Sequence, residues 1–131
     1  MDRDDAKALM TRAYAARAAG DREALSELWA DGAEFRIAGD ASLHDRVLLS
    51  GGHPMQAIGE LIDRFTLSEI ELVDLVVDGS AIVAHWRLRA AAPGKAAVPT
   101  ELLDLVRVDD DGRIRSLVQF ADTALIRHLA G

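Results

Sequence analysis

Four strand-length segments, set in two hairpins in the second half of the chain, constrain the fold more than any other feature. Leu67 to Val77 and Ala81 to Ala91 flank Asp78-Gly79-Ser80, while Thr100 to Val108 and Arg113 to Phe120 flank Asp109-Asp110-Asp111-Gly112. Apolar, β-branched runs around such Asp/Gly turns read as antiparallel hairpins. What precedes them reads as helix. From Asp4 to Ala19 the positions Ala6, Leu9, Met10, Ala13, Tyr14 and Ala16 follow an i, i+3, i+4 rhythm, with Gly20 placed as a C-terminal cap. Asp21 offers an N-cap to a second helix, Arg22 to Trp29, with Leu25, Leu28 and Trp29 inward. Asp31-Gly32 ends that helix and leads into a short strand, Glu34 to Ile37. Pro54 suits the first position of a third helix running to Phe65, with Ile58, Leu61, Ile62 and Phe65 on one side. Between them, residues 38–53 show little periodicity and include Gly39, Gly51 and Gly52; they read as loop, with a brief strand at Arg46 to Leu49. A loop of that length in a compact domain points to function. Asp122 to Leu129 forms a last helical turn or two. Three helices followed by a meander of long strands predict an α+β fold, helices on one face of a curved sheet, in a single domain spanning 1–131.

Composition narrows the partners. A chain of 131 residues can bury a core without disulfides or metal, and it contains no cysteine. Disulfides, thiolate catalysis and cysteine-based zinc sites are excluded, which suits a reducing cytoplasm. The acidic start Met-Asp-Arg-Asp-Asp is unlike a signal peptide, and no apolar run approaches the ~20 residues of a membrane span. A net charge of −7 with scattered Lys and Arg argues against nucleic acid. The expected partner is a small molecule that is not strongly anionic.

One residue breaks the apolar text of the strands: Asp104, in Leu102-Leu103-Asp104-Leu105-Val106. A carboxyl on a strand buried on both faces is costly and marks a candidate site. Alternation puts Leu102, Asp104, Val106 and Val108 on one face of their strand, with Glu101, Leu103, Leu105 and Arg107 on the other. In the next strand Arg115, Leu117, Gln119 and Ala121 oppose Ile114, Ser116, Val118 and Phe120. One face lies under the helices; the other, with Leu103, Leu105, Val118 and Phe120, needs a cover, and a self-complementary homodimer through the sheet is the economical one.

Two runs resemble a known family. Ala18-Ala19-Gly20-Asp21-Arg22-Glu23-Ala24-Leu25-Ser26-Glu27-Leu28-Trp29-Ala30-Asp31-Gly32-Ala33 is similar to the helix–helix–strand opening of the nuclear transport factor 2-like superfamily. Glu101 to Val108, Asp111-Gly112-Arg113-Ile114 and Gln119-Phe120-Ala121-Asp122-Thr123-Ala124-Leu125 are similar to its closing hairpin, most closely in the SnoaL-like and ketosteroid-isomerase-related branch. The resemblance implies a cone: a strongly bent mixed or antiparallel sheet wrapped around three helices, with a hydrophobic cavity lined by Trp29, Trp86, Leu88, Asp104, Val106, Leu117 and Gln119. It spans isomerases, dehydratases, cyclases and epoxide hydrolases, so it implies a fold more than a reaction.

Against ketosteroid isomerase, Asp104 matches the protonated acid that hydrogen-bonds the developing oxyanion. The general base falls at Ile37, and the tyrosine at Ala13, with Tyr14 one position on and turned ~100° around the helix. The epoxide-hydrolase pattern falls on Leu102, Asp104 and Gln119 and lacks its second aspartate and its arginine. For a dehydratase, His85 is the nearest histidine, but alternation turns it away from the Trp86 face.

The reading of the residues is therefore a cavity for an apolar or polycyclic, oxygen-bearing molecule, with Asp104 as acid or base in an isomerase-, cyclase- or dehydratase-like step. Tyr14, Trp29, Trp86, Leu88, Val106, Leu117 and Gln119 are the ligand-contacting candidates. The alternative is a non-catalytic ligand-binding or accessory protein in which Asp104 merely bonds Tyr14, Gln119 or a backbone amide. Arg36 points away from Phe35 and reads most plainly as a solvated strand arginine, with a reach to the cavity mouth as the alternative. His44, His53, His85 and His128 lie on separate elements without ligand spacing, so neither a metal nor a cofactor is expected. His53 reads as a helix-entry residue and His44 as a possible lid group; Asp109 to Asp111 reads as a solvated turn and Ser50-Gly51-Gly52 not as a phosphate loop.

Overall fold

The computed structural model describes residues 1–39 and 54–130. The expected strand at Arg46 to Leu49, with His44, His53 and Ser50-Gly51-Gly52, lies outside the described residues. Helix α1 (Arg3–Ala19) starts where the Asp2 carboxylate accepts from the Asp5 amide at 2.8 Å and stops at Gly20, whose φ of 68° admits glycine without strain. Asp21 caps α2 (Arg22–Glu27) by accepting from the Ala24 amide. Trp29, expected at the end of this helix, instead opens strand β1 (Trp29–Ile37), because the chain leaves α2 at Leu28 and the Leu28 carbonyl accepts from Ile114. Then follow α3 (Pro54–Arg64), β2 (Thr66–Asp78), β3 (Ala81–Ala91), β4 (Val98–Val108), β5 (Ile114–Ala121) and α4 (Thr123–Ala130).

The five strands form one open sheet in the order β1-β5-β4-β3-β2, antiparallel except for the parallel β1–β5 pair. A chain that enters the sheet at one edge and returns beside that strand at its end keeps helices α1 to α3 on one side. Register breaks in β1, twice in β2 and at the β4–β5 start bend these strands; one in β2 carries Glu69 at φ 50°, the only non-glycine with positive φ among the described residues. The result is the cone: a curved, unclosed sheet around a core of Met10, Tyr14, Leu25, Ile82, Leu88, Val106 and Ile114, all buried.

The last of those breaks corrects the expected facing of β5. Arg107 pairs with Ser116 but Val108 pairs with Ile114, so Arg115 is the extra residue of a bulge. Ile114 is thereby fully buried beside Leu117 while Arg115 is exposed, the reverse of strict alternation from Leu117. Beyond the bulge the alternation holds. On the outer face Val76, Val83, Leu105 and Val118 fall in register across four strands. Leu103 (37%) and Phe120 (46%) stand exposed beside that row.

Candidate functional site

Asp104 sits at the middle of β4, directly opposite Ala84 on β3 and Gln119 on β5. The small Ala84 leaves room for Trp86, two residues along the same face, to lean back over the carboxylate. Asp104 is 0% exposed and is the only buried charged residue among the described ones. Its oxygens are fully engaged. Oδ2 accepts from the Tyr14 hydroxyl at 2.6 Å and from the Trp86 indole Nε1–H at 3.1 Å; Oδ1 accepts from Gln119 Nε2 at 3.2 Å. Gln119 Nε2 also donates to the Tyr14 oxygen at 3.3 Å, so both amide hydrogens are used within the cluster. The Tyr14 and Trp86 rings stack at 3.9 Å between centroids and 27° between planes, which fixes both donors.

Burial and bonding oppose each other here. Loss of hydration pushes the Asp104 carboxyl up from 3.8 to about 6, against the Tyr14, Gln119 and Trp86 hydrogen bonds, which favour the anion. The Tyr14 hydroxyl moves well above its ordinary range, first through burial and then through the neighbouring Asp104 charge, and so stays neutral. At pH 7 the cluster is a carboxylate held by three neutral donors.

A cavity of about 110 Å³ lies between the helices and the sheet. Of the residues expected to line it, Tyr14, Trp29, Leu88, Leu117 and Gln119 do so. Asp104, Trp86 and Val106 do not. The reason is the layering just described: Tyr14 from α1 and Gln119 from β5 close over the carboxylate, Trp86 stacks behind Tyr14, and Val106 is wholly packed. The acid therefore meets the cavity only through Tyr14 and Gln119. Arg36 is exposed and outside the wall, as a solvated strand arginine would be, and not at the cavity mouth; Phe35 and Ile37 of the same strand are in the wall. Tyr14, although one position past the expected tyrosine site, reaches Asp104 because α1 crosses the sheet with Ala13 and Tyr14 both buried.

Sequence reasoning missed several wall residues. Leu125, Ile126 and Leu129 of α4 close one side, a helix expected only as a turn or two. Arg17 also lines the cavity, and its Nη2 donates to the carbonyls of Leu61 (3.0 Å) and Phe65 (3.1 Å) at the end of α3. Burial lowers its guanidinium to about 10. Its position three residues after Tyr14 on one helix was the available signal. His85 lies on the outer face, where Nε2 meets Glu101 Oε1 at 2.8 Å, and His128 is exposed on α4. Among the described residues no three His, Asp or Glu side chains converge as metal ligands.

Comparisons with known proteins agree with this architecture. A family model described as a SnoaL-like domain matches residues 10–117. A nuclear transport factor 2-like protein of unknown function from Burkholderia pseudomallei superposes with a TM-score of 0.79 at 16% identity, covering 99% of this chain and 98% of its own. An epoxide hydrolase of M. tuberculosis gives 0.71 at 16% identity, with 97% and 90% covered. TerC, co-crystallised with polyporic acid, gives 0.77 at 12% identity, with 96% and 98% covered. At these identities the likeness is one of fold. No curated protein matches the chain.

Proposed function

Since the chain belongs to the SnoaL-like family within the nuclear transport factor 2-like superfamily, we propose that its cavity binds a small, largely apolar molecule bearing oxygen. The observation that carries this reading is an apolar cavity whose wall includes a hydroxyl and an amide locked onto a buried carboxylate. Apolar walls with a few fixed polar groups are the common form of a small-molecule site. An apolar void of ~150 Å³ takes up benzene, so about 110 Å³ suits one ring, and a polycyclic ligand needs the wall to open. Fold neighbours that hydrolyse epoxides or were crystallised with polyporic acid fit such a use of the cone. Native mass spectrometry of protein purified from its source cell tests it: a retained small molecule, displaced when Leu117→Trp fills the cavity, is expected. Retention undiminished in that variant would refute the site.

A second reading adds acid–base chemistry, in isomerase, cyclase or dehydratase fashion. It is favoured by a carboxyl held at about 6 and joined to the cavity wall through Tyr14. In this reading a carbon acid in the cavity gives its proton to the Tyr14 oxygen while the Tyr14 proton passes to Asp104 Oδ2, leaving an enolate and a neutral carboxyl. Asp104 then acts through Tyr14 rather than on the substrate. Deuterium exchange into 1-phenylbutane-1,3-dione, followed by NMR, is the test. Exchange above background that rises through pH 6 and is lost in Tyr14→Phe supports the relay; equal exchange in the variant refutes it.

We further infer a homodimer through the outer sheet face, in the cytoplasm that a cysteine-free chain suits. The aligned row of Val76, Val83, Leu105 and Val118, flanked by Leu103 and Phe120, is the basis. Sedimentation at micromolar concentration should show twice the chain mass, falling to one in Phe120→Glu. A monomeric wild type removes the idea.

A further inference from the structure

We propose that the ligand is an apolar acid, its anionic oxygen held by Arg17 and a further acceptor by the indole N–H of Trp29; this rests on the reading of the cavity as a small-molecule site. Polar groups left over on the wall carry the argument. Asp104, Tyr14 and the Gln119 amide hydrogens satisfy one another and ask nothing of a ligand except an interaction at Gln119 Oε1. Two groups remain. Trp29 lines the cavity, is 6% exposed, and its Nε1–H is buried with no hydrogen-bond partner among the described residues. A buried donor left unsatisfied costs ~1–3 kcal/mol, which an acceptor on a ligand would remove.

Arg17 is the second group. Its Nη2 is occupied by two backbone carbonyls, but Nη1 and Nε have no acceptor among the described residues. Those carbonyls bear no formal charge, and no carboxylate pairs with Arg17 among the described residues. The one carboxylate in the described wall, Asp122, is exposed and caps α4 by accepting from the Leu125 amide at 3.0 Å. Tyr14, one turn away, is neutral. A half-buried guanidinium, held at the edge of an apolar cavity with part of its donor fork unused, matches a carboxylate on an apolar body. The overall charge of −7 disfavours polyanions and leaves room for one negative group.

The experiment compares matched probes on the whole chain at pH 7.5. Phenylacetate and 3-phenylpropanoate are titrated beside their primary amides and beside ethylbenzene, following the indole ¹H–¹⁵N signals of Trp29 and Trp86 by NMR. The acids should bind about tenfold or more tightly than the amides, as charge-assisted bonds require, and should shift the Trp29 signal. In Arg17→Gln acid and amide should bind alike, the preference having vanished; Arg17→Lys should keep part of it. Because Arg17 also ties down α3, the wild-type comparison stands alone if Arg17→Gln fails to fold. Equal affinity for acid and amide, or a preference that survives in folded Arg17→Gln, overturns the inference and leaves the cavity intact. Failure of hydrocarbon, amide and acid alike overturns the cavity reading and this inference together.

Discussion

Replacing Asp104 with asparagine isolates the cost of burying its charge. The side chain keeps its shape, and its carbonyl can still accept from Tyr14 and Trp86, while Gln119 must turn its amide to meet the new NH₂ group. What disappears is the titration. With the carboxyl at 3.8 in the unfolded chain and about 6 in the folded one, both states are protonated below pH 3.8 and the group adds no slope. Between 3.8 and about 6 the folded chain holds a proton that the unfolded chain has lost, so stability falls as pH rises. Above that both are ionised and the slope ends. At 1.36 kcal/mol per pH unit, the loss across the window is about 3 kcal/mol. Urea unfolding of wild type and Asp104→Asn from pH 4 to 8 measures it, since the other carboxylates titrate in both proteins and cancel in the difference. The wild type should lose about 2 kcal/mol of this relative to the variant on going from pH 4 to pH 7, the rest of the window lying below pH 4. A difference that is flat, or that rises with pH, refutes the reasoning: the three donors would then outweigh desolvation, and the carboxyl would be an ordinary or depressed one.

Two more substitutions probe the same cluster. Tyr14→Phe withdraws the shortest of the bonds to the carboxylate and should cost about 1.5–3 kcal/mol at pH 8, and less at pH 4 where the acid is neutral, by urea unfolding. The same variant should move the Asp104 carboxyl above about 6 in a ¹³C titration, because a bond that favours the anion is gone. Ala84→Leu places a large side chain at a fully buried position facing Asp104 and should cost ~1–3 kcal/mol. It should also change the fluorescence of Trp86 by lifting its indole from the carboxylate; an unaltered spectrum would contradict the packing described.

The fold was legible because its signals are local. Caps at Gly20 and Asp21, a proline opening α3 and Asp/Gly turns between strands fix element ends through backbone chemistry that neighbouring residues decide. Two features escaped. Trp29 sits at the junction of a short helix and a strand, and whether it finishes one or starts the other is settled by its pairing with Ile114, a contact 85 residues away in sequence. The extra residue at Arg115 is likewise invisible to alternation, since a bulge belongs to a pair of strands and not to one.

The site was half legible for a related reason. Asp104 stands out in sequence because a charge in an apolar strand is costly wherever the strand ends up. Which layer that charge occupies depends on how α1 rotates against the sheet, and that rotation puts the Tyr14 ring between carboxylate and cavity. The consequence reaches function. A carboxylate already accepting from three donors cannot greet a ligand until one of them moves, so substitutions at Asp104 should act first on stability and on the aim of Tyr14 and Gln119. Affinity for a ligand of the kind proposed should respond more to donors that have no acceptor among the described residues, Trp29 Nε1 and the rest of the Arg17 fork, than to the residue that the sequence makes most conspicuous.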